Sequence, residues 1–490
     1  MTTGRRRGAF SVLAPAVLAA WPALAAPDPP PPAPSPPGVR ATEGPGYRRI
    51  ELVPEGRLLG AVAAVTAGGH RRIFVLVKES PSDQRSLAEL DLGAAELRVL
   101  AAGLSAGIDR IDALDLDGDG AQEILLGEPH QLYVLRDGKV HPLEARGWFD
   151  LGAPESAKLR APAAARQRLV TADAGRLRCF EPREGGQALA SVCDQPLPLT
   201  AEREPRGLFL QTPPVVAIEQ SGGAPIVAIG PQTLDQRRLR TLLLAPGAAE
   251  TTETWARLPG SESVQQSRYA LFGGQPVLAV ATVRADKLSI FEDQQLRLFR
   301  LTADRTQAGR GPFFVAATES PRWHALGLYF GDLDGDGNDD LAVIEPKGMD
   351  GEPLLVKAYL GDAAGRLKAA GEAAKLDVAG ARWSFGADVT GDGRADLVAA
   401  SPAGVQIFAG RASGRGGPVS TTPALAIPLI VTARGQVEVQ VGGKGVRTRA
   451  ERFGWQRPLI TDLDGDGRGE ILLLSIERDG HGALEVITWR

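Results

Sequence analysis

The 490 residues carry no surplus of charge of either sign: 55 basic side chains face 59 acidic ones, a balance of −4. Nucleic acid and anionic membranes are bound through an excess of Lys and Arg, so neither is expected as a partner. Cysteine is nearly missing. Only Cys179 and Cys193 occur, on either side of the turn-like Glu184-Gly185-Gly186, and in an oxidising compartment such a pair is expected to join, two buried thiols being the alternative. The five histidines, His70, His130, His141, His324 and His481, are scattered, with no His-Glu-x-x-His or Cys-x-x-Cys spacing. A Gly-x-Ser-x-Gly elbow and a phosphate-binding glycine loop are absent as well, so zinc, hydrolase and nucleotide chemistry have no motif behind them. After the N-terminus, no apolar run approaches the roughly 20 residues that cross a bilayer, and no transmembrane segment is expected in the mature chain.

The N-terminus itself has the layout of an export signal. Arg5, Arg6 and Arg7 precede an apolar run over residues 9–20, and Ala23-Leu24-Ala25 offers small residues for cleavage. Residues 1–25 are therefore expected to be removed. An uncleaved anchor is the alternative, although Pro15 interrupts the run and the run is short. Eight of the eleven residues 27–37 are proline, a composition that stays extended and buries no core, so residues 26–45 are read as a stiff linker. A proline-motif ligand is the other reading of that stretch. Export places the protein in the periplasm or outside the cell.

What the chain does have is a repeated acidic nonapeptide, D-x-[D/T]-G-D-G-x-x-[D/E], beginning at Asp115, Asp332, Asp388 and Asp462. Calcium takes six to eight hard oxygens at about 2.3–2.6 Å, and carboxylates at alternate positions of a tight loop can converge on one ion. The first loop offers Asp115, Asp117, Asp119 and Glu123, with the carbonyl of Ala121; the second offers Asp332, Asp334, Asp336 and Asp340, with that of Asn338. The third offers Asp388, Asp392 and Asp396, with Thr390 in place of the second acid and the carbonyl of Arg394. The fourth offers Asp462, Asp464, Asp466 and Glu470, with the carbonyl of Arg468. The third site, one acid short, is expected to be the weakest. Fifteen carboxylates grouped so closely repel one another without a cation, and the flexible many-oxygen loop suits calcium better than the strict octahedron of magnesium. An EF-hand would need a bidentate Glu at position twelve, where this chain has Leu126, Val343, Ala399 and Leu473. These residues belong to short apolar runs that suit buried strands, so each loop is expected to join two strands.

In these loops the chain resembles the FG-GAP and VCBS repeat proteins, whose calcium loops are similar to those of integrin α-subunit propellers. The resemblance implies that each loop links the first two strands of a propeller blade and holds calcium. Weaker copies of the unit lack the acids: residues 59–77 around Gly68-Gly69, residues 168–170 ahead of Cys179, residues 225–231, and residues 271–280 around Gly273-Gly274. An all-β propeller of four-stranded antiparallel blades spanning residues 46–490 is expected, with eight blades, or seven if the unit near Arg168 is not one. The last unit has room for three strands, and the strand-like residues 47–53 are expected to complete it and close the ring. The Gly- and Ser-rich residues 410–422 are read as a long loop inside the seventh unit.

A ring of this kind is expected to act as a monomeric binding, adhesion or scaffold module for a glycan or an extracellular protein. Arg322-Trp323, Arg382-Trp383 and Trp455 precede calcium loops, and such recurring aromatics are expected to pack between blades rather than to bind sugars. A secreted, calcium-dependent, lyase-like enzyme is the alternative. It would need a base, for example His324 or Lys347, converging with calcium in the central channel.

Overall fold

A computed structural model describes residues 38–66, 70–116, 119–128, 131–136, 138–143, 169–173, 176–182, 189–196, 215–218, 226–235, 238–244, 252–258, 262–284, 293–301, 311–322, 324–347, 353–378, 382–401, 404–411, 417–428, 437–441, 444–448, 458–476 and 482–490. The expected export signal lies outside them, as do most of the proline linker, Trp323 and Trp455. The described chain is built of strands. Runs such as Ile73-Phe74-Val75-Leu76-Val77 and Leu341-Ala342-Val343-Ile344 are apolar on both faces and buried throughout, as strands sandwiched between two other sheets must be.

The chain opens with β1 (Gly38–Gly44) and β2 (Tyr47–Val53) and then lays down sheets one after another. The first sheet comprises β3 (Arg57–Val65), β4 (Arg71–Lys78), β5 (Arg85–Asp91) and β6 (Glu96–Leu104). The second comprises β7 (Arg110–Leu114), β8 (Glu123–Glu128), β9 (Gln131–Arg136) and β10 (Lys139–Pro142). Three strands of the third are described: β11 (Leu169–Asp173), β12 (Arg176–Pro182) and β13 (Leu189–Pro196). The fourth holds β14 (Val215–Ile218), β15 (Ile226–Asp235), β16 (Arg238–Leu244) and β17 (Thr252–Arg257). The fifth holds β18 (Glu262–Phe272), β19 (Gln275–Arg284), β20 (Asp293–Arg300) and β21 (Phe314–Pro321). The sixth is made of β22 (Gly327–Gly331), β23 (Asp340–Pro346), β24 (Leu354–Gly361) and β25 (Leu367–Leu376), and the seventh of β26 (Arg382–Ala387), β27 (Asp396–Ser401), β28 (Gly404–Phe408) and β29 (Leu425–Ile427). A two-stranded ribbon, β30 (Val437–Val441) and β31 (Lys444–Thr448), precedes β32 (Leu459–Thr461), β33 (Glu470–Ile476) and β34 (Gly482–Trp489).

Those last three strands are completed from the other end of the chain. β2 pairs antiparallel with β34, Tyr47 opposite Trp489 and Leu52 opposite Leu484, giving a closing sheet in the order β1-β2-β34-β33-β32. The sheet thus begins at Gly38, eight residues ahead of the boundary expected at 46, because Val39 to Gly44 continue the ladder onto β2. Apolar clusters then bridge one sheet to the next. Leu87 and Leu126 join the first to the second, Leu125 and Phe180 the second to the third, and Leu243 and Leu278 the fourth to the fifth. Leu298 and Leu341 join the fifth to the sixth, Ile344 and Phe385 the sixth to the seventh, and Ile407 and Ile471 the seventh to the closing sheet. Ile50 and Ile73 bring the closing sheet back onto the first. Antiparallel sheets packed face to face at these seven joints, with the last against the first, form a β-propeller. Among the described residues there are eight sheets of three or more strands.

Trp383 packs into the cluster between the sixth and seventh sheets, as expected of a repeat aromatic. Cys179 and Cys193 stand opposite each other in the β12–β13 register. A bulge at Gly386 interrupts the pairing of β26 with β27, and its φ of +116° is one that side chains rarely adopt. A Cβ there would sit 2.0 Å from Tyr329 of the sixth sheet. Gly386→Ala is therefore expected to lose at least about 2 kcal/mol through backbone strain and displacement of that ring, measured as a lowered urea midpoint at unchanged slope.

Candidate metal loops

All four acidic loops occupy the same place, between the first and second strands of a sheet: β7–β8, β22–β23, β26–β27 and β32–β33. Their backbone is wound around their own carboxylates. In the second loop the first acid, Asp332, accepts the amides of Gly335 at 2.7 Å and Gly337 at 3.0 Å, one on each oxygen. Asp462 does the same with Gly465 and Gly467 in the fourth loop, and Asp388 with Gly391 and Gly393 in the third. In the first, Asp115 accepts Gly120 at 3.1 Å; Asp117 and Gly118 lie outside the described residues. These contacts need a left-handed turn at both glycines, φ being +82° and +84° at Gly335 and Gly337, which is why the repeat has glycine at positions four and six. The fifth-position acids each accept the amide two residues on: Asp119 from Ala121, Asp336 from Asn338, Asp392 from Arg394 and Asp466 from Arg468.

The ninth-position acids have a separate task. Glu123, Asp340, Asp396 and Glu470 each accept the amide of the loop's second residue, Leu116, Leu333, Val389 and Leu463 respectively. Asp340 also takes the amide of Gly361, the last residue of β24, and Asp396 that of Gly410, two residues past β28, both at 2.7 Å, which ties each loop to the end of the third strand of its sheet. Asp340, Asp396 and Glu470 are fully or almost fully buried. Burial pushes the carboxyls of Asp340 and Asp396 above the ordinary range. It pushes Glu470 up to about 7, and the nearby charges of Asp464 and Asp462 add to the shift. Hydrogen bonds from Asn338, backbone first and then side chain, hold the exposed Asp336 below that range.

Whether the oxygens suit an ion differs between loops. Two oxygens on one calcium lie no more than about 5 Å apart, twice the bond length. Asp332, Asp334 and Asp336 bring carboxylate oxygens within 4.8 Å of one another, and so do Asp462, Asp464 and Glu470. These two loops fit the ion. Asp340 stands outside the first group and Asp466 outside the second. Among the described residues, no such group forms in the third loop, whose three acids are all described.

Position eight of the repeat, whose residue type varies, fastens loops to the sheet before them. Gln122 exchanges two hydrogen bonds with Val65, its amide donating to the carbonyl at 2.7 Å and its side chain accepting at 3.0 Å. Asp339 accepts the amide of Gly273 at 2.7 Å, and Gly469 donates to the carbonyl of Asp388 at 2.7 Å. Across the ring closure, Arg71 of the first sheet donates to Thr461 Oγ1 at 3.1 Å and to the carbonyl of Asp462 at 2.7 Å. Only the side-chain variety at this position, Gln, Asp and Gly, concealed the pattern.

Lys347 and His324 lie at the other end of the sixth sheet. The seven residues of β23 separate Asp340 from Lys347 by about 20 Å, and Lys347 is paired with Glu319. The carbonyl of His324 accepts Gln294 at 2.7 Å beside the start of β22. Neither residue converges with the second loop.

Among solved structures, the chain is similar to the Dos1 propeller at 9% identity, over 89% of this chain and 93% of that one, with a TM-score of 0.43. It is also similar to a protein from Lactobacillus plantarum at 14% identity, over 72% and 97% of the two chains, with a TM-score of 0.33. The architecture rests on the strand pairing and cross-sheet packing above, not on likeness at that level. No protein-family model matches the chain, and no curated protein matches it significantly.

Proposed function

We propose that the protein is an exported, calcium-stabilised propeller of the FG-GAP and VCBS kind that acts as a binding or scaffold module for a glycan or an extracellular protein. The observation that carries the calcium reading is the gathering of carboxylate oxygens within 4.8 Å in the second and fourth loops. Three acids drawn together, with Glu470 of the fourth loop buried, repel one another until a cation neutralises them. In the second loop Asp332, Asp334 and Asp336 would hold the ion; in the fourth, Asp462, Asp464 and Glu470. In the first loop Asp115, Asp119 and Glu123 accept the amides of Gly120, Ala121 and Leu116, contacts that the second and fourth loops also make. An ion supplies fixed positive charge in these loops. Because Gln122, Asp339 and Gly469 fasten the loops to the preceding sheets, it would stiffen the joint between sheets as well as the loop.

The binding role follows from what such a ring offers: a rigid surface whose shape the ions maintain. It is tested by binding the mature protein to a panel of glycans and polysaccharides in calcium and in chelator, with each bound polymer checked for shortening. Calcium-dependent binding without shortening is the expected result. Shortening would replace the module reading with an enzymatic one, and binding to no polymer in the panel would exclude the glycan and leave the protein partner.

A further inference from the structure

The third loop departs from the others in more than Thr390. Its first acid, Asp388, accepts three amides: Gly391 at 2.6 Å and Asp392 at 3.1 Å on one oxygen, and Gly393 at 2.6 Å on the other. Its last acid, Asp396, also accepts three, from Val389, Thr390 and Gly410 at 2.7–2.8 Å. A carboxylate has about four acceptor positions, so two of the three acids are nearly filled by backbone. The extra bond on Asp396 comes from the amide of Thr390. In the second loop that position is Asp334, and Asp340 accepts only Leu333 and Gly361. The Thr390 hydroxyl is neutral and, unlike the acid it replaces, brings no charge to an ion.

The charge around the loop differs too. The second loop, residues 332–340, contains five aspartates and no basic residue. In the third, Arg394 lies 3.8 Å from Asp392, and a second guanidinium arrives from the fourth loop. Arg468 stacks over the ring of Trp489 at 4.2 Å and donates from Nε to the carbonyl of Val389 at 2.6 Å. Next to it, the amide of Gly469 holds the carbonyl of Asp388, while the carbonyl of Gly469 accepts Trp489 Nε1 at 2.8 Å. Residues 468 and 469 belong to the loop that Asp462 and Glu470 close on either side.

We infer that the third loop binds no ion of its own and is kept in its calcium-loop shape by its own amides and by the ion-bearing fourth loop, through Arg468 and Gly469. This rests on the calcium reading of the fourth loop. Loss of that ion loosens residues 462–470, frees Arg468 and Gly469, and leaves the third loop's acids without their neighbouring cation.

The test counts bound calcium by equilibrium dialysis of the whole mature protein and follows amide hydrogen exchange over residues 388–396. Asp388→Asn and Asp462→Asn are compared because Asn keeps one acceptor oxygen for the amides, and circular dichroism checks that both fold. Asp388→Asn is expected to bind as many calcium ions as the wild type, and Asp462→Asn one fewer. Chelation of the wild type, which requires no variant, is expected to speed exchange in the third loop by about tenfold or more, as does Asp462→Asn in calcium. An ion lost with Asp388→Asn, or third-loop exchange indifferent to the fourth loop, overturns the inference while leaving calcium binding intact. A wild type that binds no calcium overturns the calcium reading itself and this inference with it.

Discussion

Chelation is expected to lower the melting temperature by about 5 °C relative to 1 mM calcium. Sites of the extracellular type bind with Kd near 10⁻⁴ M or weaker, so 1 mM ion at ten times Kd stabilises by about 1.4 kcal/mol per site. Three sites, in the first, second and fourth loops, give about 4 kcal/mol. For an ordered chain of this size the unfolding entropy is about 0.9 kcal/mol/K, which converts that energy to roughly 4–5 °C. Differential scanning calorimetry measures it, and an unchanged melt would exclude a structural ion. The pH response should differ as well. Glu470 titrates higher in the folded chain, near 7, than in the unfolded one. Its contribution is therefore fully present below its ordinary range, about 4.3, and is lost as pH rises through about 7. The chelated protein should accordingly gain stability when acidified from pH 8 to 6, and the calcium-loaded protein should show less of this gain.

Asp340→Ala and Asp336→Ala should separate what the acids do for the backbone from what they do for an ion. Asp340 is fully buried and its two oxygens accept the amides of Leu333 and Gly361. Its removal leaves two donors without an acceptor, a loss of about 3 kcal/mol that chelator does not abolish. Asp336 is exposed, and water can replace it at the amide of Asn338. Asp336→Ala should therefore be within about 0.5 kcal/mol of wild type in chelator and should lose stability only in calcium. Urea titrations of both variants with and without calcium give the four values. Equal losses in chelator would show that the ninth-position acid is not a backbone clamp.

Much of this could be read from the residues. The loop motif marked the strand-to-strand turns, since glycines at positions four and six supply the positive φ that a tight left-handed winding needs, and the apolar runs after the acids became β8, β23, β27 and β33. The closing pair of β2 with β34 was legible as one unit short of a strand and one strand without a unit. Other features depend on long-range partners that no local pattern specifies. β1 was hidden because Val-Arg-Ala-Thr-Glu is polar enough to pass for linker, and only the ladder on β2 makes it a strand. The bonds from Gln122, Asp339 and Gly469 are made with side chain or backbone alike, so no residue type repeats there. Thr390 announced a missing acid, but not that its amide would turn onto Asp396.

The pairing of residues 47–52 with 484–489 also sets an order of events. Loop-closure entropy for partners more than four hundred residues apart is met late in folding, and a chain that leaves a ribosome or a membrane channel from its N-terminus delivers the second partner last. Until then β2 lacks its main neighbour, and the faces of the first and closing sheets that meet around Ile50 and Ile73 stay wet. The ring is therefore an assembly that can lock only once the whole polypeptide has passed through. The final hairpin thus acts as a latch, and a chain arrested before residue 484 would remain an open, aggregation-prone crescent.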